Sequence, residues 1–211
     1  MCKHMLYQCH GYEIMESSQK QCIVYDEKRQ KYYMVKKAFA ALYIDFESVK
    51  EIRIQCIDII FYLLFAAIPY ILYQLFGEIL SQKWIREEIY ASTILLGITF
   101  LMCNLLLHES AHYFMMKCYG RPVKFMRAKT DGRNIKFYLD TTASYLLPKY
   151  KRFAVYAVGA TVNLYFVYVM LHFAGVSPYT MLFSLLFIIL NLIPSKELSN
   201  DISSILSMMK R

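Results

Sequence analysis

Apolar and polar positions are distributed unevenly along this chain. Residues 1–56 alternate over short distances and carry charge throughout, with no long apolar run, so no cleavable signal peptide is expected. Beyond them, residues 57–80, 90–116, 153–174 and 178–194 are apolar over lengths that suit a bilayer, whose hydrocarbon core takes roughly 17–25 helical residues. The last of these is the shortest. Pro69, inside the first, predicts a kink.

Shorter patterns fill the gaps. QCIVYDEKRQKYYMV, residues 21–35, predicts two strands around a polar turn. KKAFAALYIDFESVKEI then predicts a helix, with Ser48 as a cap and Glu51 three residues on. In the loop 117–152, VKFMRAKT and RNIKFYLD flank Asp131-Gly132, a two-residue hairpin signal, and Ile135, Phe137 and Leu139 alternate with polar residues. Trp84 and Tyr90 stand where aromatic residues mark a membrane interface. The expected fold class is therefore an α-helical polytopic membrane protein with about four transmembrane helices. It would have a small cytoplasmic N-terminal α+β segment (1–56), a membrane-embedded core (57–211) and a β-hairpin between helices 2 and 3.

Charge changes the picture only through its placement. The 211 residues are 57% hydrophobic with a net charge of +8, which taken alone would admit a nucleic-acid partner. Of 24 Lys and Arg, 9 fall in residues 1–56, 10 in 117–152 and 3 after 194, all on one side of a four-span chain. The positive-inside rule makes that side the cytoplasm, with both termini and loop 117–152 facing it. The expectation is an integral membrane protein without a nucleic-acid partner. Low glycine with abundant Tyr, Ile and Lys suits a bacterium with an AT-rich genome, so the membrane expected is a bacterial cell membrane. Six cysteines at cytoplasmic or intramembrane positions give no disulfide framework, and Cys2-x-His4…Cys9-His10 fits no standard zinc module.

One apolar run contains chemistry. LLLHESAHYFMM, residues 105–116, holds an H-E-x-x-H match: His108, Glu109 and His112. On a helix, positions i and i+4 share a face, so both imidazoles can serve one Zn²⁺ while Glu109 takes a proton from the metal's water. By chance such a match arises in about half a per cent of shuffled chains of this composition. Its membrane depth adds weight, since ionisable residues there are costly. The bland alternative is a helix whose polar residues bond only to neighbouring helices. A catalytic zinc needs a third protein ligand. Glu197 and Asp201, after the fourth apolar run, are the candidates on the correct side, whereas His172 lies towards the opposite one.

Three motifs in order resemble the site-2 protease family of intramembrane zinc metalloproteases, over roughly residues 90–205. HESAH is similar to that family's zinc-and-base motif. LPKYKRFAVYAVGATVN, with Gly159 and Asn163, resembles its basic lead-in and G-P-x-x-N pattern. Asn191-Leu192-Ile193-Pro194…Asp201 resembles the N-x-x-P…D-G motif that supplies the third ligand. The departures are Ala160 for the proline, Ser199 where the family has its aspartate, and Ile202 for the glycine. The resemblance implies His108, His112 and Asp201 as zinc ligands and Glu109 as the catalytic base. It implies Asn163 and Asn191 as substrate-binding or orienting residues. The expected activity is peptide-bond hydrolysis in or near the membrane segment of a protein or peptide substrate. Alternatives are a dedicated maturase of a small exported or signalling peptide, or a non-catalytic protease-like binding protein, which the altered third motif keeps open.

Overall fold

The computed structural model describes residues 5–9, 12–16, 21–26, 28–29, 31–36, 48–80, 91–131, 134–193 and 201–209. Trp84, Tyr90, Glu197, Ser199, the Cys2/His4 positions and residues 37–47 of the expected N-terminal helix lie outside them. The chain divides into two compact units, residues 1–56 with 142–152, and 57–141 with 153–211.

The first unit is built on an antiparallel sheet of five strands, β1 (Met5–Cys9), β2 (Tyr12–Glu16), β3 (Gln21–Asp26), β4 (Lys31–Lys36) and β5 (Ser48–Glu51), in the order β4-β3-β2-β1-β5. The expected strands within 21–35 are β3 and β4. Their cross-strand neighbours Tyr25 and Tyr32 stack with ring centroids 4.6 Å apart. Ser48 and Glu51 are not a helix cap. They lie in β5, whose Val49 pairs with Tyr7 of β1, and the backbone bonds offered by that strand edge outweigh a local capping preference. Met15, Ile23 and Leu146 form the core of this unit, with Leu146 supplied by a 3-10 turn at Thr142–Leu146. Arg152 donates from Nη2 to the carbonyls of Tyr145 (2.8 Å) and Leu147 (3.1 Å), satisfying main-chain groups that the turn leaves open.

Among its described residues the second unit is mainly helical, with one hairpin. Its helices are α1 (Cys56–Ala66), α2 (Ile68–Leu80), α3 (Ala91–Cys118), α4 (Lys149–His172, whose first turn belongs to the other unit), α5 (Pro178–Leu192) and α6 (Asp201–Met209). Among the described residues, three stretches are long and apolar enough to cross a membrane: α1 with α2 (Cys56–Glu78), α3 and α4. The fourth expected span is α5, only 15 residues long. The break between α1 and α2 falls at Ala67, two residues before Pro69. A proline ring at that point lacks an N–H and crowds the preceding turn. The hairpin β6 (Lys124–Asp131) and β7 (Asn134–Asp140) is present, with Asp131 inside its strand and paired to Asn134 rather than in the turn.

Packing in this unit fixes where α3 runs. Ile71 and Leu75 of α2, Leu164, Val167 and Leu171 of α4, and Met181 and Ile188 of α5 form one buried cluster. The backbone of α3 approaches α5 closely at Gly97, where a Cβ would stand 2.9 Å from the Thr180 carbonyl oxygen. Asp58, buried at the start of α1, accepts a 2.5 Å hydrogen bond from the Tyr119 hydroxyl just past the end of α3. Many other apolar side chains stay uncovered: Leu63 and Leu95 are each 68% exposed, as are Tyr73, Phe76, Leu106 and Phe114 to a large degree. Continuous exposed apolar surface of this kind is foreign to a protein surrounded by water alone.

Candidate metal centre

Asn104, His108, His112 and Met115 or Met116 recur at helical spacing on the buried face of α3. The two imidazoles on this face point at each other, with their Nε2 atoms 3.1 Å apart. Asp201, the first residue of α6, completes the group. Its Oδ2 lies 3.1 Å from His108 Nε2 and 3.2 Å from His112 Nε2. An acidic residue suits a helix N-terminus, where main-chain N–H groups and the helix dipole favour negative charge.

The far side of each ring decides what Nε2 presents. His112 Nδ1 is 2.6 Å from the Val155 carbonyl oxygen, which can only accept, so the proton sits on Nδ1. His108 Nδ1 meets the Asn163 side chain at 2.9 Å. With its oxygen towards His108, the Asn163 amide accepts from Nδ1–H. The two hydrogens of its nitrogen then face three oxygens within hydrogen-bond distance, Asn104 Oδ1 (3.1 Å), the Asn104 carbonyl (3.1 Å) and the Gly159 carbonyl (3.3 Å). The opposite orientation would set the amide oxygen against those oxygens, so it is the poorer assignment. Both histidines therefore turn an Nε2 lone pair inward.

Asp201 Oδ2 is buried and makes no hydrogen bond. Burial alone would raise the Asp201 carboxyl, but the neighbouring His112 and His108 outweigh it and hold the group well below the usual carboxylate range. Three potential metal ligands thus converge at 3.1–3.2 Å, a set of lone pairs that a shared cation, a proton or a metal ion, would relieve. Zinc–nitrogen bonds of about 2.0–2.1 Å in a tetrahedron put ligand atoms about 3.3 Å apart, so two imidazoles and a carboxylate at this spacing fit zinc.

Gly159 of α4 makes the arrangement sterically possible. A Cβ there would stand 2.5 Å from His112 Nε2 and 2.6 Å from His108 Cε1, so any side chain would displace the rings. Phe187 of α5 closes another side, its ring edge-on to His108 at 5.7 Å.

Of the other expected site residues, Glu109 is half-buried beside His108 and is not part of the converging group. Asn163 is fully buried against His108. Asn191 instead donates to the Phe187 carbonyl of its own helix at 3.1 Å. Asp201 reaches the histidines although it stands two positions beyond the place where the resembled family has its aspartate. Sequence reading missed Asn104 and the Val155 carbonyl. Asn104 had a usable signal, since it precedes His108 by four residues and shares its helix face. The Val155 carbonyl had none, because main-chain acceptors leave no trace in residue type. Against family models, curated proteins and solved structures, the chain matches none.

Proposed function

We propose that the chain is an intramembrane zinc metalloendopeptidase that hydrolyses a peptide bond in or near a membrane segment of a protein or peptide substrate. The convergence of His108 Nε2, His112 Nε2 and Asp201 Oδ2 carries this reading. These three residues would hold zinc and leave a fourth position open, the arrangement of a catalytic rather than a structural site. Zinc bound there would supply a Lewis acid that polarises a carbonyl and acidifies water. Glu109 takes a proton from the attacking water and delivers it to the amine as the carbon–nitrogen bond breaks. Val155 and Asn163 hold the two rings in the tautomer that presents Nε2.

The bilayer is the setting that accounts for the exposed apolar side chains of α1, α2 and α3. In this reading α5 is a fourth, short span. The basic bias of residues 1–56 and 117–152 supports a topology, in this reading that of a bacterial cell membrane, with both termini and the β6–β7 hairpin on the cytoplasmic side. His108 and His112 then lie near the cytoplasmic end of α3. A hairpin edge could hold an unwound substrate segment by strand addition, which matters because a helix hides its own peptide bonds.

The test needs no known substrate. The chain is co-expressed in bacterial membranes with a panel of tagged single-span reporters. The wild type should shorten at least one reporter, whereas Glu109→Gln should leave all intact while keeping its zinc. Equal cleavage by both forms would remove Glu109 from the mechanism. A zinc-loaded wild type that cleaves none would favour a non-catalytic binding protein.

A further inference from the structure

We infer that Asn104 is a positioning residue for His108, acting through the Asn163 amide, an inference that rests on the zinc-site reading. A side-chain amide can rotate by half a turn with little change in shape. If Asn163 did so, its NH₂ would face His108 Nδ1 and require a lone pair there. The ring proton would move to Nε2 and point among the ligand atoms. What prevents this is the company at the amide's other end.

Three oxygens stand there, and two of them are main-chain carbonyls that any residue would supply. The third is Asn104 Oδ1, 3.1 Å from the Asn163 nitrogen. It is the part of the device that residue choice controls. Asn104 has no exposed surface, and its own Nδ2 finds no hydrogen-bond partner. An unpartnered buried NH₂ is costly, more so in an apolar setting. A leucine of similar size would avoid that cost, so the value of asparagine here lies in its oxygen. The line from Asn104 Oδ1 through Asn163 to His108 Nδ1 selects which nitrogen of His108 carries the proton, so that Nε2 turns a lone pair to the metal position.

The experiment measures zinc affinity of the full chain in detergent, by competition with a chromophoric chelator, alongside thermal unfolding of the zinc-stripped form. Asn104→Leu should bind zinc about tenfold more weakly, as loss of an outer-shell partner does. Its zinc-stripped form should melt no lower than the wild type, since the variant removes an unsatisfied group; a purely structural asparagine would give the reverse pair of results. In an Asn163→Ala background, Asn104→Leu should change affinity by less than about twofold, because the link it serves is already broken. Should Asn104→Leu fail to fold, Asn104→Asp keeps the accepting oxygen and should bind zinc within about threefold of the wild type. Unchanged affinity in Asn104→Leu, an equal loss in both backgrounds, or a tenfold loss in Asn104→Asp would overturn the inference and leave the zinc site standing. A wild-type chain that takes up no zinc would overturn both.

Discussion

Asp201 Oδ2 lies 3.1 Å from His108 Nε2, joining the first residue of the last described helix to the C-terminal half of the longest described one. The functional reading starts from this pairing. An imidazole nitrogen and a carboxylate oxygen at such a distance share a proton or a metal cation, and a second imidazole at the same spacing suits the metal.

Glu109→Gln separates holding the metal from using it. The amide keeps the size of the carboxylate but cannot accept a proton. Hydrolysis should fall by about a hundredfold or more, in line with general-base catalysis, while zinc content stays at the wild-type level. Reporter cleavage and metal analysis on the same preparation check both halves.

Gly159→Ala tests the steric half of the site. The added methyl group would meet both imidazoles well inside contact distance. Zinc affinity should drop by about ten- to a hundredfold, with helix content by circular dichroism unchanged. Alanine favours a helix more than glycine does, so a loss of affinity without a loss of helix would point to the rings.

Asn163→Ala removes the acceptor for His108 Nδ1–H. Chelator competition should show zinc binding weakened by about tenfold or more, the usual cost of removing the partner that orients a histidine ligand. Asn191→Ala, whose side chain serves its own helix, should leave zinc affinity unchanged.

Tyr119→Phe tests the tie between the start of α1 and the end of α3. The variant loses the hydroxyl that donates to the buried Asp58. Stability should fall by about 1–3 kcal/mol, read as a lower melting temperature in detergent, with zinc stoichiometry retained.

What was legible in the sequence was what depends on local spacing. His108 and His112 share a face because four residues make about one helical turn, and Pro69 breaks its helix because it lacks an N–H. The hairpin after Gly120 could be read from alternation, although Asp131 pairs with Asn134 within the strands rather than forming the turn. Ser48 and Glu51 misled because capping is a local preference that an open strand edge overrode. The strands β1 and β2 gave too short an alternation to notice. Gly159 was visible as a motif letter, but its reason, the room needed by two imidazoles, exists only once α4 packs on α3. Asn104 could have been read from its i, i+4 spacing to His108, but its contact with Asn163 could not, since that partner comes from a distant part of the chain.

The most direct test of the account is the zinc content of the full chain purified in detergent, compared with Asp201→Ala and Glu197→Ala. The account predicts close to one zinc per wild-type chain, lost in Asp201→Ala and kept in Glu197→Ala. A folded wild type that takes up no zinc after supplementation, or an Asp201→Ala form that holds it as tightly as the wild type, would contradict it.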